Sequence, residues 1–505
     1  MDFEFEIFAD DGLKETFVQW LIESRWPTVS ARFSRLWEYY QNRMIGPQRF
    51  RHPDGRVVES ARPYIQAQEI GLPARITGRV YNDPHDPHAA QSVPDLMRKE
   101  VVIENDIAWR INAMVDFLFG KGITWISKAP DADRRRIIQT VINAVFEANG
   151  GVGFFQDLAV LGAVYGFADC IVRPGERLNT RLQQPSPGRS VQKEDAAASH
   201  ASILSAASAI ALDLVEAPRA LPILEEQDYR MIRYYIQHFY QARNEAPDRP
   251  SRSRPPRQAA VTEILGPTAW QRYEDGRRIA QGLNPLGYVP VVHIQNIAQP
   301  YFYEGISDAE QLIGLQDELN ARLSDRASRI TMQAFKMYLA KGIEGMADKP
   351  VSPGRMWCTD NQQASIEEFG GDRSCPSENL HITEIRDAMD KISGVTPVVA
   401  GVLKNKLGNL TSGVALKMTF MGMLTRNARK QYTYGRGLGQ IAQMILDILD
   451  RAGVFATTLQ ERQIEVRFPN PLPEDMTERL QEALLKKNLG LPQQKILEEL
   501  GYDLT

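Results

Sequence analysis

The sequence has few cysteines, no long apolar run and no basic leader. Its three cysteines, Cys170, Cys358 and Cys375, are too few and too scattered for a disulfide framework or a zinc site, so reduced thiols are predicted. No apolar stretch approaches the ~20 residues that a membrane span needs. The first residues, MDFEFEIFADDG, are acidic, unlike the start of a signal peptide. These features predict a cytosolic protein with no membrane partner.

Motifs for nucleotide, acyl-transfer and metal chemistry are also missing. The chain contains no GxxxxGK[ST], no GxSxG and no HExxH, which excludes a P-loop, a nucleophile elbow and a zincin site. His85 and His88 lie in the turn-rich stretch NDPHDPH, which lacks the rigid element that holds a pair of metal ligands. The formal net charge of -4 differs from the strongly basic balance of a free-standing DNA-binding domain. No cofactor, no metal and no catalytic residue is predicted.

Helical and strand patterns both recur along the 505 residues, so the predicted fold class is α+β, mainly α with β. Helices are predicted over 13–44 with a break at Pro27, and over 95–119, 132–148, 152–169, 306–331, 381–392, 413–453, 474–488 and 491–500. Strands are predicted near 170–175, 229–243, 262–297 and 463–468. Segments 47–94, 178–200 and 244–258 are rich in turn-forming and polar residues, which predicts irregular structure.

The most distinctive stretch runs from Gly394 to Gly453. It begins as an irregular loop, GVTPVVAGVLKNKLGNLTSG, and continues as a long amphipathic helix that ends near Gly453. Gly435, Gly437 and Gly439 interrupt the helical pattern, and each glycine costs a helix roughly 1 kcal/mol relative to alanine. A kink at this hinge is predicted. Changing all three glycines to alanine is expected to straighten the helix and move the loop.

Two further helices, 306–331 and 381–392, enclose a segment with short strand patterns and many turn residues. The first helix starts with a capping box, Ser307 and Glu310. Its arginines, Arg322, Arg326 and Arg329, either face a channel or pair with Asp317, Asp325 or acids of a neighbour; pairing is favoured.

This succession of parts resembles the portal proteins of tailed bacteriophages. The resemblance is carried, in order, by KEVVIENDIAWRINAMVDFLFGKGITW, by VPVVHIQNIAQPYFYEGISDAEQL with NARLSDRASRI, by NLTSGVALKM after a flexible loop, and by EVRFPNPLPEDM with LGLPQQKILEELG. It covers most of the chain. It implies a portal fold with the following parts: a wing over 1–304, stem helices over 305–332 and 380–393, a clip over 333–379, a tunnel loop over 394–412, a long kinked helix over 413–453, a returning wing strand over 454–475 and a short crown over 476–505.

The resemblance implies a structural protein rather than an enzyme. Portal proteins form a homo-oligomeric ring, usually a dodecamer, at one capsid vertex of the virion, and assemble in the host cytoplasm. The ring conducts double-stranded DNA during genome packaging and ejection. Its partners are the terminase large subunit, the major capsid and scaffolding proteins, and a head–tail adaptor. A separate ATPase drives packaging, which agrees with the absence of a P-loop.

Within the resemblance, four residues of the tunnel loop are the predicted DNA-facing groups: Lys404, Asn405, Lys406 and Asn409. Ring symmetry would repeat the two lysines as circles of positive charge around the duplex, and the asparagines would make neutral contacts to phosphate. The alternative is that both lysines are ordinary solvated residues of a loop.

Other functions remain open on sequence grounds. A metal-dependent nuclease would use carboxylates, and Glu367-Glu368 and Glu474-Asp475 are the nearest pairs, both in turn-like surroundings. Another phage head or adaptor protein is a further alternative. The aromatic and charged alternation in 229–243 fits either nucleic-acid stacking or, as favoured here, a half-buried strand of an antiparallel sheet.

Overall fold

The structure is a computed structural model that describes residues 6–8, 12–42, 48–51, 57–60, 102–183, 200–242, 258–334, 337–342, 361–369, 376–397, 418–472, 476–493 and 496. Its α-helices are α1 (Glu15–Trp20), α2 (Trp26–Gln41), α3 (Asp106–Phe119), α4 (Ala132–Ala148), α5 (Val152–Tyr165), α6 (Glu176–Gln183), α7 (His200–Ala207), α8 (Ile313–Ala334), α9 (Pro376–Ser393), α10 (Met421–Arg451) and α11 (Met476–Asn488).

The strands are β1 (Gln48–Arg51), β2 (Val57–Ser60), β3 (Thr124–Ser127), β4 (Phe167–Arg173), β5 (Ala211–Val215), β6 (Ala220–Leu224), β7 (Ile232–Ala242), β8 (Gln258–Leu265), β9 (Ala269–Glu274), β10 (Arg277–Leu283), β11 (Val291–Gln295), β12 (Met337–Lys341), β13 (Ser365–Phe369) and β14 (Ile464–Arg467). Mixed helices and sheets confirm the predicted α+β class. None of the described helices is both long and apolar enough to cross a membrane.

The chain divides into two compact units. Unit 1 comprises Met1–Ser34, Ile111–Ser307 and Thr411–Thr505, and unit 2 comprises Arg35–Arg110 and Asp308–Leu410. Both units are therefore built from segments that are distant in sequence.

Unit 1 contains a five-stranded antiparallel sheet in the order β10-β9-β8-β7-β6. Successive residues of a strand point to opposite faces. On one face, Ile236 and its partner Ile264 pack with Val18 and Leu21 of the N-terminal helical segment. On the other face, Tyr235 and its partner Leu265 belong to a second core cluster. Each face of the sheet thus covers its own hydrophobic core.

The second cluster joins the five-stranded sheet to a three-stranded sheet in the order β11-β4-β5. Ile171 of β4, Val215 of β5 and Val291 of β11 contribute to it. Strand β7 lies between β6 and β8, which confirms the half-buried antiparallel strand favoured for 229–243.

Aromatic side chains hold α10 against the helical part of unit 1. Trp125 of β3 stacks on Phe146 of α4 with ring centroids 4.7 Å apart. Phe119 stacks on Phe155 at 5.6 Å and meets Tyr434 of α10 edge to face at 5.9 Å. β3 also pairs with β14, which confirms a strand within 463–468.

Several sequence predictions were wrong in detail. The helix predicted over 306–331 with a capping box begins only at Ile313, after a 3-10 turn at Glu310–Leu312, and Ser307 Oγ instead donates to the carbonyl of Val164 at 2.6 Å. The stretch 178–200 was predicted to be irregular, but α6 extends through Gln183. The irregular region 47–94 contains the antiparallel pair β1 and β2. The apolar helix predicted over 152–169 ends at Tyr165, because Gly166 takes the left-handed conformation with φ of 92° and β4 begins at Phe167.

His238 supplies a testable pH dependence of stability. It is buried on β7, its Nδ1 lies 2.8 Å from Thr262 Oγ1, and Trp26 covers its ring at 4.6 Å. Burial disfavours the charged imidazolium and lowers the pKa of His238 from 6.5 to about 4. The unfolded chain therefore binds more protons between these values, and stability is lost as pH falls from 6.5 towards 4.

We expect His238→Gln to remove about 2 kcal/mol of this acid-induced loss. The measurement is the urea midpoint of unfolding at pH 7.5 and 4.5, for the parent and the variant. Other acid-titrating groups contribute equally to both proteins, so the comparison isolates His238. An identical pH slope in the two proteins would contradict the assignment.

In unit 2, α8 and α9 pack together and the strand pair β12 and β13 lies between them in sequence. The arginines of α8 pair with acids or an amide. Arg322 Nε donates to Glu318 at 2.7 Å and Arg322 Nη1 to Asp325 at 3.2 Å. Arg329 pairs with Glu378 of α9. Pairing, the favoured alternative, is thus observed for Arg322 and Arg329.

Candidate functional site

The four residues predicted to face DNA, Lys404, Asn405, Lys406 and Asn409, lie outside the described residues. Their orientation stays a prediction. Description of the chain stops at residue 397 and resumes at residue 418. What the structure shows is how the chain is fixed on either side of this loop.

Before the loop, the end of α9 is fixed by a buried arginine of α3. Arg110 Nη1 donates to the backbone carbonyl of Val395 at 2.7 Å and to Ser393 Oγ at 3.1 Å. Ser393 Oγ in turn accepts the backbone N–H of Val395 at 3.1 Å. Gly394 has φ of 69°, which glycine adopts without strain, so the chain leaves the helix in one defined direction.

Carboxylates of two helices balance the charge of this arginine. Arg110 Nη1 lies 2.7 Å from Asp390 of α9, and Nη2 lies 3.5 Å from Asp106 of α3. The Arg110 side chain is 3% exposed. Burial raises the pKa of Asp106, and the guanidinium of Arg110 opposes part of that rise. We call Arg110, Asp106, Asp390 and Ser393 the loop anchor.

After the loop, α10 runs for 31 residues, or about 46 Å. Its middle is bonded to the end of β11. Tyr434 donates its hydroxyl to Asn296 Oδ1 at 3.1 Å, and Thr433 donates to the backbone carbonyl of Asn296, also at 3.1 Å. Asn296 is fully buried, and its N–H donates to the carbonyl of Gly166. These bonds fix the rotation of α10 about its axis and its position along that axis.

The three glycines of the predicted hinge lie inside α10, which is assigned as one uninterrupted helix across them. Each faces another element at close range. A Cβ at Gly437 would lie 2.3 Å from Ile294 Cγ1, and one at Gly439 would lie 2.8 Å from the carbonyl of Ile464. At Gly435 the nearest contact, with Phe468, is 3.2 Å. Close packing against β11 and β14 is therefore a reason for glycine here, and the hinge itself stays a prediction.

We expect Gly437→Ala to lower the free energy of unfolding of unit 1 by about 1–3 kcal/mol, because the added methyl overlaps Ile294. Gly435→Ala is the matched control, because its contact with the Phe468 ring at 3.2 Å is tight but needs a shift of only a few tenths of an ångström, and alanine favours the helix. Adding Ile294→Ala should make the Gly437→Ala change less damaging than it is alone. Urea denaturation of the parent, the three single variants and the double variant measures this. Equal losses for the Gly435 and Gly437 variants would refute the packing explanation.

A buried polar network lies under the end of β11, beside the Asn296 contact. Asp169 on β4 is fully buried and accepts from Tyr235 at 2.7 Å and from Tyr303 at 2.9 Å. His293 Nδ1 lies 2.7 Å from Asp169 Oδ1, and Nε2 lies 2.6 Å from the backbone carbonyl of Tyr303. The network joins β4, β7, β11 and the segment that follows β11.

The geometry of this network fixes several of its donors. A carbonyl oxygen only accepts, so His293 Nε2 carries a hydrogen, while Nδ1 faces Asp169 Oδ1. Burial and the Asp169 carboxylate raise the pKa of Tyr235 and of Tyr303 well above the ordinary value, so both hydroxyls remain donors. The arrangement is a satisfied structural network with no nucleophile.

An open groove of about 540 Å³ runs along the exposed side of α10 in unit 1. The helix residues that line it extend from Tyr432 to Arg451, about 28 Å along the axis. Its lining includes Met231, Phe302, Tyr432, Arg436, Gln440 and Asp447. At one end of the groove, Arg462 forms ion pairs with Asp447 and Asp450, which lie at the end of α10. We refer to this feature as the groove.

The carboxylate pairs considered for a nuclease do not form a metal centre in the described part of the chain. Among those residues, no group of His, Cys, Asp or Glu is arranged to hold a metal ion. Glu367 is bonded to Lys341 at 2.6 Å, whereas Glu474 and Asp475 lie outside the described residues.

Residues 265–501 match the family described as "Phage portal protein, SPP1 Gp6-like". This region, a little under half of the chain, is similar to the phage portal protein family. The resemblance drawn from the sequence is thereby confirmed. The matched region includes β11, the α8 and α9 pair, the β12–β13 pair, α10 and β14. The family is one of structural proteins rather than enzymes.

Solved structures similar to the chain include two from gene transfer agents. The first, "Virion of native gene transfer agent (GTA) particle", has a TM-score of 0.41 and 11% identity, and the match covers 79% of this chain and 90% of that chain. The second, "Neck of native GTA particle computed with C12 symmetry", has a TM-score of 0.40 and 13% identity, with the same shares covered. The comparison with curated proteins found no match.

Sequence reasoning missed the loop anchor and the Asp169 network. Asp169 was detectable as a lone carboxylate in an otherwise apolar strand, FADCIV. Arg110 was detectable as a charge within the apolar pattern of α3. Neither signal identifies the partners, which come from distant parts of the chain.

Proposed function

We propose that this chain is a portal protein whose copies form a ring, most simply a dodecamer, at one capsid vertex of a phage-like particle. The ring conducts double-stranded DNA during packaging and ejection. The observation that carries the proposal is the match of 265–501 to the portal family. The protein assembles in the host cytoplasm and remains in the virion.

The parts of the chain are proposed to act as follows. The clip, 333–379, docks the terminase large subunit and later the head–tail adaptor, and the wing, 1–304 with 454–475, faces the major capsid and scaffolding proteins. The stem helices, 305–332 and 380–393, brace the channel, and the crown is 476–505. The tunnel loop, 394–412, borders the aperture. Two fixed flanks support this role of the loop: the loop anchor before it and the Asn296 contacts of α10 after it.

Lys404 and Lys406 are proposed to face the duplex, with Asn405 and Asn409 as neutral phosphate contacts. Repetition in a ring multiplies the positive charge at the aperture. The near-neutral whole chain suits a conduit, because every phosphate that is neutralised adds affinity by counterion release and would retard sliding.

The first experiment is imaging of the purified protein, expressed alone and together with capsid and scaffolding proteins. Closed rings by negative-stain microscopy and a single large oligomer by native mass spectrometry are expected. Particles that remain monomeric or dimeric in both preparations and in several salts would overturn the proposal. Magnesium-dependent cleavage of plasmid DNA by the purified chain would instead favour the nuclease alternative.

The second experiment tests the loop. Lys404→Ala with Lys406→Ala should leave rings intact and reduce the DNA retained per particle several-fold, because the charge at the aperture is lost. Lys128→Ala with Lys391→Ala is the matched control, since both lysines are exposed and have no ion pair within the described residues. Equal DNA content per particle in the two double variants would contradict the proposal that Lys404 and Lys406 face the duplex.

A further inference from the structure

Unit 1 carries an aromatic surface that is about half exposed among the residues that the structure describes. Phe17 and Trp20 of α1 stack with ring centroids 5.8 Å apart and an interplanar angle of 19°. Their exposed fractions are 41% and 51%, whereas Val18 on the same helix is fully buried in the sheet core. Glu23, in the next turn, is exposed and makes no ion pair with any described residue. We call Phe17 and Trp20 the aromatic knob.

The groove beside α10 offers exposed apolar surface and a positive charge, which complement the aromatic knob and Glu23. Tyr432, Phe302 and Met231 line it and are 71%, 57% and 58% exposed, an unusual concentration of apolar surface. Arg436, also exposed, has no hydrogen bond or ion pair with the described residues. A guanidinium that has no carboxylate partner in the described part of the chain is well suited to stack on an indole ring and to pair with an acid beside it.

The knob and the groove lie on opposite faces of the five-stranded sheet. Val18 and Leu21, which hold the knob helix, pack in the cluster of Ile236. Ile232 and Val291, which line the groove, pack in the cluster of Tyr235 on the other face. Because Tyr235 and Ile236 are adjacent in β7, they point to opposite sides of the sheet. The knob of one copy therefore cannot reach the groove of the same copy.

We propose that the aromatic knob of one copy binds in the groove of the next copy. Trp20 would stack on Arg436 between Tyr432 and Phe302, and Glu23 would pair with Arg436. Two different faces that fit each other form a head-to-tail contact, which closes into a ring when the rotation between copies allows it. The inference rests on the proposed ring and deepens it, since it names the two surfaces that join neighbours.

The first test removes the knob. Trp20→Ala should reduce the fraction of protein in rings at least about tenfold, because interfacial tryptophans are common hot spots and tenfold is a modest loss for one of them. Tyr240→Ala is the matched control, an aromatic residue that is 57% exposed and belongs to neither surface. Mass photometry at equal protein concentration measures the fraction. Trp20 is half exposed, so the urea midpoint of the monomer should change little.

The second test combines two complementary defects. A Trp20→Ala copy keeps its groove, and an Arg436→Glu copy keeps its knob. Each should be largely monomeric alone, and the two should form a one-to-one dimer when mixed, through the one intact contact. Differently tagged copies and native mass spectrometry reveal that dimer. Normal rings from Trp20→Ala alone, or no pairing in the mixture, would overturn the inference.

The outcomes separate this inference from the proposed function. If Trp20→Ala forms rings like the parent, the knob contact is wrong and the portal ring stands. If the parent instead forms open chains that depend on Trp20 and never closes into DNA-containing particles, the knob contact stands and the portal proposal falls.

Discussion

Replacing Asp169 with alanine is expected to lower the free energy of unfolding of unit 1 by about 3–5 kcal/mol. The change removes the acceptor of the fully buried Tyr235 and of the partly buried Tyr303, and the partner of His293 Nδ1. Each unsatisfied buried group costs about 1–3 kcal/mol. The side chain of Asp169 is 0% exposed, so water does not replace the carboxylate unless the core opens.

Asp213→Ala is the matched control for this measurement. Asp213 lies on the neighbouring strand β5 and pairs with Arg173, but its side chain is 49% exposed. Exposed ion pairs contribute about 1 kcal/mol or less. Urea denaturation of both variants tests the difference. If the two variants lose the same stability, the network around Asp169 is not the support that its geometry indicates.

Replacing Arg110 with leucine is the second change with a large expected effect. It leaves the carboxylates of Asp106 and Asp390 largely buried without their cation, and the carbonyl of Val395 without its donor. Removing one partner of a buried ion pair typically costs about 3–5 kcal/mol. The free energy of unfolding should fall in unit 2. The substitution should also release the chain after Ser393, where segment 394–412 begins.

Trypsin reports on the second effect, because it cleaves after Lys404 and Lys406. We expect Arg110→Leu to accelerate cleavage at these lysines more than at Lys128 in the same molecule. Arg386→Ala serves as the control, since Arg386 pairs with Glu104 at 2.6 Å and both side chains are more than a third exposed. Unchanged cleavage within the loop, with stability lost elsewhere, would mean that Arg110 does not hold the loop entrance.

Local patterns were sufficient for much of the fold. The alternation in 229–243 predicted β7, and the apolar stripe of 306–331 predicted α8, because each pattern has the period of its element. The end of α5 at Tyr165 was not predicted, since the helix and the following strand are both apolar and only the backbone of Gly166 separates them. α6 was missed because its apolar face consists of only two residues, Leu178 and Leu182, in an otherwise polar segment.

The contacts that fix the candidate site could not be predicted from local sequence. Gly437 was interpreted through its helix propensity alone, whereas its close contact, Ile294, lies on a strand far earlier in the chain. Arg110 and Val395 are even further apart in sequence, by 285 residues. Such contacts depend on how helices and strands pack against each other. The hydrophobic period and the secondary-structure propensity of a local segment do not contain that information. The assignment of Lys404 and Lys406 depends on the family resemblance and stays a prediction.

Strand β11 is held from both of its sides. His293 bonds to Asp169 within the sheet, while Ile294 touches Gly437 and the adjoining Asn296 receives the bonds of Tyr434 and Thr433. Force applied along α10 is therefore passed into a strand in which the neighbouring residue, His293, contacts a buried acid. α10 is thus mechanically coupled to the core of unit 1, and damage at Asp169 and at Gly437 should not add independently.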